Sequence, residues 1–246
     1  MVMLARNERL AIELERRMAA RRKVVSSFYQ DTKADIDPVH WQHLPENSDI
    51  QEAPFFADYI RADPEPCGQQ HVPVDAGRSA LLGFVDKWIR ERQAHLREIM
   101  QQDLPTVTRV SQPEQGGVLD LATAVFLCGV DEFSPCPALI GWDAVGPHLF
   151  CDKRPWYRDR ATAKKNKHSF RFCVRGYHTV IQILGLLNLD PLVTTAQELD
   201  KLNARFICNN SMTNAPVMTW RECVWFAPLY YANGNISNFL LSLNAR

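Results

Sequence analysis

The chain has 246 residues, 46% of them hydrophobic and 10% aromatic, which is enough for one large domain or two modest ones with a packed core. Lys plus Arg equal Asp plus Glu at 28 each, so no global field draws the protein to nucleic acid or an anionic membrane, and such a partner must be met by a local patch. Seven cysteines, no charged-then-apolar leader and no apolar run near the ~18 residues of a membrane span point to an intracellular protein, cytoplasmic or nuclear, with reduced thiols.

From Leu4 to about residue 30, apolar residues recur at Leu10, Leu14, Met18, Val25 and Phe28 with Arg and Glu on the other face, which predicts a long amphipathic helix. Its Arg21-Arg22-Lys23 run is most simply a solvated face. Asp37-Pro38 ends the element. Residues 38–78, rich in Pro, Asp and Gly, form a long connection with one short helical pattern from Pro54 to Ile60. Leu44-Pro45-Glu46 has the opening of an F-box without its Leu/Ile-rich continuation. Ser79 to about Gln102 repeats the helical stripe through Leu81, Val85, Trp88, Arg92, Leu96 and Ile99. The two long helices are expected to pair as an antiparallel hairpin through Leu10, Leu14, Met18, Leu81, Val85 and Trp88, forming a helical N-terminal region over residues 1–104.

The polar segment from Pro105 to Gly117 marks a domain boundary. Beyond it, Val118 to Cys128 carries a short helix or strand into the first of four clustered potential ligands: Cys128, Cys136, His148 and Cys151. Cys128 and Cys136 flank seven residues ending in a Pro-rich turn, and His148 and Cys151 form a His-x-x-Cys pair. Two close pairs brought together by a turn are the usual way a chain supplies zinc with tetrahedral N and S ligands, so one Zn2+ is expected here. Gly146-Pro147, just before His148, is a feature that could displace that ligand.

After Cys151 comes a basic stretch, residues 153–175, with nine Lys or Arg against Asp159 alone and with Trp156, Tyr157, Phe170 and Phe172 interleaved. Cations beside aromatics can meet phosphates and stack on bases, so Lys164, Lys165, Lys167 and Arg171 are candidate nucleic-acid contacts; a solvated linker is the plainer alternative. Tyr177 to Leu187 is a strongly apolar helix stopped by Asp190-Pro191. Thr195 with Glu198 makes a capping box opening a short helix through Leu202, and Thr219 with Glu222 makes another opening a helix at Trp220. Between them, Arg205 to Cys208 and Val217 to Thr219 predict two strands. Strand, Cys-x-x-Ser, strand and capped helix have the outline of a ββα finger with half its ligands absent, since Ser211 stands where a second cysteine would. Cys208 and Cys223 remain as a possible degenerate second site, to which Cys173 or His178 could be added.

The long amphipathic helix, Ala-Thr-Ala-Val-Phe-Leu-Cys, Leu-Ile-Gly-Trp-Asp-Ala followed by His148 and Cys151, the Leu-Gly-Leu-x-x-Leu-Asp-Pro run, the stretch from Leu199 to Cys208 and Thr-Trp-Arg-Glu-Cys from Thr219 together carry a resemblance. The chain resembles the C-terminal Cys/His regions of uncharacterised proteins of mushroom-forming fungi, some of them F-box proteins. The resemblance extends to about Val224 and implies binding rather than catalysis, with Cys128, Cys136, His148 and Cys151 matching the first ligand cluster. The second cluster departs at Ser211 and after Cys223.

The fold class expected is mainly α with small β elements: a helical hairpin, a zinc-finger-like region over residues 118–224, and a diverged or flexible tail over residues 225–246 in which Pro228 breaks the last helix. The function expected is a non-enzymatic, zinc-stabilised protein-interaction module, adaptor-like, with a protein partner and no small-molecule substrate. Nucleic-acid binding through residues 153–175 is the alternative. Cys128 or Cys151 with His148 or His178 could serve as nucleophile and base on paper, but the chain has no nucleophile elbow, phosphate loop or His-Glu-x-x-His. The further alternative is that the cysteines are buried hydrophobes.

Overall fold

Among the described residues the fold is mainly helical with two small antiparallel sheets, as expected for α+β. The computed structural model describes residues 2–62, 72–104, 117–128, 138–148, 170–208, 217–230 and 241–243. Packing divides the chain into two compact units, Met1–Arg92 and Gln93–Arg246.

In the first unit α1 (Val2–Lys33) and α4 (Val74–Asp103, which continues into the second unit) are the two long helices. The connection between them holds more structure than its composition suggests: a 3-10 turn at Pro38–His43, α2 (Asn47–Glu52) and α3 (Pro54–Arg61). Local chemistry accounts for both short helices. Glu46 and Asp49 form a capping box at α2, with the Glu46 N–H donating to Asp49 Oδ2 at 3.0 Å. Pro54 opens α3, where its missing N–H would have had no helical partner.

The core of this unit joins Val25 and Tyr29 of α1, Ile50 of α2, Phe56 of α3, and Leu81 and Val85 of α4. The expected two-helix seam is therefore corrected. Leu81 and Val85 are buried and Met18 packs at the margin, but Leu10 and Leu14 are 61% and 41% exposed, and α2 and α3 supply much of what the long helices bury. A stripe shows that a helix has an apolar face, not how far along it that face is covered. Tyr29 donates its hydroxyl to the Pro45 carbonyl at 2.7 Å, and burial, then the nearby Asp49 carboxylate, pushes its pKa up to about 12. Arg92, counted in the apolar stripe of α4, is indeed buried; desolvation lowers its pKa and the charge of Asp49 opposes that shift.

In the second unit a 3-10 turn at Gly117–Asp120 leads to β1 (Val125–Cys128), then β2 (Leu139–Ile140), the single-turn α5 (Trp142–Val145) and β3 (Phe170–Phe172). Strand order is β2-β1-β3. Next come α6 (Val174–Leu187), α7 (Ala196–Leu202), β4 (Arg205–Cys208), β5 (Val217–Thr219), α8 (Trp220–Tyr230) and β6 (Leu241–Leu243), with order β5-β4-β6 in the second sheet. Both capping boxes form: Thr195 Oγ1 accepts from the Glu198 N–H at 3.2 Å, and Thr219 Oγ1 from the Glu222 N–H at 3.3 Å.

The C-terminal stretch differs from expectation at two points. Helix α8 runs through Pro228 to Tyr230, and Leu241–Leu243 pair with β4 opposite β5. Asp200 of α7 clamps the start of α8: it accepts from the Trp220 indole N–H at 2.8 Å and from Arg221 Nε and Nη2 at 2.8 and 2.7 Å. The Arg221 hydrogen bonds, with a smaller share from Trp220, hold the Asp200 carboxyl below the usual aspartate range. A depressed carboxylate contributes stability above the unfolded pKa of about 3.9, and that contribution is lost as pH falls through the lower folded value. Asp200→Asn should therefore cost about 1 kcal/mol at pH 7, kept small by the exposure of the pair, and the difference from wild type should close as pH falls through the lowered folded-state value. Urea midpoints across that range measure it.

Packing of α6 on the first sheet depends on one glycine. A Cβ at Gly176 would lie 2.7 Å from Val125 Cγ1 and 3.1 Å from Cys173 Sγ, whereas one at Gly185, on the exposed side of the same helix, meets nothing within 4 Å. Gly176→Ala should destabilise by about 1–3 kcal/mol. Gly185→Ala should stabilise by about 0.5–1 kcal/mol, since only the helical cost of glycine changes. Thermal melts of the two variants should move in opposite directions.

Candidate metal centre

Side-chain alternation gives the first sheet two buried faces. Val125, Leu127 and Ile140 face a core shared with Val180, Ile183, Leu199 and Phe206. Phe126, Leu139, Phe170 and Phe172 face a second core with Leu96, Met100, Val145 and Tyr177. Phe126 and Phe172 are opposed across β1 and β3, their rings edge-to-face at 6.1 Å and 81°.

Cys128 lies at the end of β1, directly opposite Phe170 in the ladder. Opposed residues of an antiparallel pair share a face, so the Cys128 side chain stands beside Phe170 on the Phe126 side of the sheet. His148 reaches the same place by another route. Gly141, at φ 77, leaves β2 and caps α5; the Gly146 N–H then donates to the Trp142 carbonyl at 2.7 Å and that of His148 to the Val145 carbonyl at 3.3 Å. This turn leaves the His148 ring edge-on to Phe170, with centroids 6.1 Å apart. Gly146-Pro147 thus forms part of the turn that brings His148 beside Phe170.

Phe170 links the two candidate ligands, and it was assigned from sequence to the basic stretch. The overlooked signal was the apolar-polar-apolar alternation of Phe170-Arg171-Phe172, which is a strand pattern. Phe172 is buried and Phe170 half-buried, so these two aromatics belong to the core instead of being offered to bases. Arg171 points outward and is exposed.

Cys128 is half-buried and, like Cys173 and Cys223, is a thiol rather than half of a disulfide. Cys136, Cys151, Lys164, Lys165 and Lys167 lie outside the described residues. Among the described residues, no group of three or more His, Cys, Asp or Glu side chains is arranged to hold a metal. Of the possible second site, Cys208 ends β4, and Cys223 is fully buried on α8 in the cluster that includes Phe206, Trp220 and Val224. Cys173 is buried as the N-cap of α6, its sulfur accepting from the Gly176 N–H at 3.3 Å. Burial pushes its thiol pKa up, against the pull of that N–H and of Arg171 and Arg175; a raised thiol is a poor nucleophile. His178 is exposed against the Tyr177 ring.

No helix of the described residues is long and apolar enough to cross a membrane. No protein-family model, curated protein or solved structure matches the chain.

Proposed function

We propose that the protein is a non-enzymatic interaction module whose 126–151 segment is organised by one zinc ion, with Cys128, Cys136, His148 and Cys151 as ligands. The observation that carries this reading is that Cys128 and His148, on a strand end and a turn 20 residues apart, each lie beside Phe170. Cys136 stands three residues before Leu139, and Cys151 three after His148. A trans chain spans at most ~3.6 Å per residue, so each is tethered within about 11 Å of a residue on that face. The donor set, three thiolates and an imidazole, suits zinc and leaves no position open for substrate, which favours a structural over a catalytic role. When bound, the ion would supply the cross-link; Phe126, Phe170 and Phe172 would hold the face on which it sits.

An interaction role is supported by α1, where Leu10 and Leu14, one turn apart on one side of a helix otherwise rich in Arg and Glu, are exposed. Such a face offers apolar anchors with a charged rim to a protein partner.

Cobalt substitution tests the ligand set. Cobalt added to metal-free protein should give the visible bands of a tetrahedral site and the near-ultraviolet bands of thiolate ligation, both lost in Cys128→Ser. Octahedral, colourless-to-pink cobalt with no thiolate band would overturn the proposal.

A further inference from the structure

In a chain with equal numbers of acids and bases, residues 160–189 contain six Lys or Arg and no Asp or Glu. Part of this run is built into the second unit, and two regular elements decide which of its side chains face outward. In β3, Phe170 and Phe172 turn to the core and Arg171 to solvent. In α6, the buried face is Tyr177, Val180, Ile183 and Leu184, and the exposed face carries Arg175, His178 and Gln182 at i, i+3 and i+7. Both elements belong to one unit and are joined through Cys173, so the two arginines and the donors of α6 are held on a packed scaffold.

We propose that Arg171 with Arg175, His178 and Gln182 forms a contact surface for the phosphate backbone of a nucleic acid. The chemistry favours this partner over an acidic protein. Arginine forks match phosphate oxygens, glutamine and histidine add hydrogen-bond donors to phosphate or sugar, and no carboxylate in the run repels a polyanion. The burial of Phe172 and half-burial of Phe170 withdraw these two rings from stacking, which leaves phosphate contact to the described side chains, so their contribution should be independent of sequence and strongly dependent on salt. The surface goes beyond the zinc proposal and does not require it.

The test is fluorescence anisotropy of full-length protein with a labelled single strand of about 20 nucleotides and with its duplex, from 50 to 200 mM salt. Reversing both arginines (Arg171→Glu with Arg175→Glu) should weaken binding at least tenfold and flatten the log–log salt slope by about 1.4 for a single strand or 1.8 for a duplex. Far-UV circular dichroism and metal content, measured on the same samples, separate loss of fold or of zinc from loss of the surface. Arg175→Gln alone, the milder change, should flatten the slope by about half as much. Lys87→Glu with Arg90→Glu, two exposed positions on α4, should leave affinity unchanged. The proposal is overturned by absence of binding at 50 mM salt, by affinity indifferent to the arginine reversals, or by displacement with polyglutamate as readily as with unlabelled nucleic acid. The last outcome would assign the surface to an acidic protein.

Discussion

Replacing Phe126 with alanine should remove about 3–5 kcal/mol of stability, the usual result of deleting a large aromatic from a close-packed core. That is a large share of the ~5–15 kcal/mol by which a folded domain is normally stable. The residue is 0% exposed, opposed to Phe172 across the ladder and packed in the cluster that joins Leu96 and Met100 of α4 to Val145 and Tyr177. It is also two residues from Cys128 on the same face of β1, so the cavity should loosen the strand end that carries the candidate ligand. Phe126→Leu keeps most of the volume and should cost about 1–1.5 kcal/mol. Urea titrations followed by tryptophan fluorescence measure both. A loss below 1 kcal/mol for alanine would mean that this face of the sheet does not form the core described.

The second large effect concerns removal of the proposed zinc ion. A structural zinc ion contributes about 10–16 kcal/mol of apparent binding energy in small finger peptides, and where the site forms only on folding that energy is folding energy. Chelation, or Cys136→Ser, should therefore expose the amides of residues 126–151 to hydrogen exchange. Protection in α1, α2 and α3 should persist, because the core of Val25, Ile50, Phe56 and Leu81 contains no candidate ligand. Cys67→Ser should change neither. Uniform loss of protection in both units on chelation, or no loss in either, would contradict a local structural ion.

What was legible in the sequence is what local chemistry dictates. The two Thr-x-x-Glu boxes start α7 and α8 because hydroxyl and carboxylate satisfy N-terminal amides within one turn. The apolar run before Asp190 is helix α6, ended by Asn188 in the left-handed conformation. The strands β4 and β5 were expected at the bounds they occupy. The pairing of the first sheet and the last strand of the second were not legible. Pairing of β3 with β1 and of β6 with β4 depends on contacts across more than thirty residues, to which no local pattern points. The same limit hid the Asp200 clamp on Trp220 and Arg221, and the exposure of Leu10 and Leu14. Of the candidate centre, the ligand types and spacing were visible. Phe170 as the residue joining Cys128 to His148 was not, because its charged neighbours drew it into the basic stretch and masked a strand of three residues.

The most direct measurement is the metal content of protein purified without chelators and exchanged into metal-free buffer, with His148→Ala and Cys136→Ser prepared in parallel. A four-ligand structural site predicts about one zinc per chain in the wild type and close to none in either variant. Less than about half an equivalent in the wild type, or zinc retained unchanged in both variants, would contradict the account and leave Cys128 and His148 as packing neighbours of Phe170.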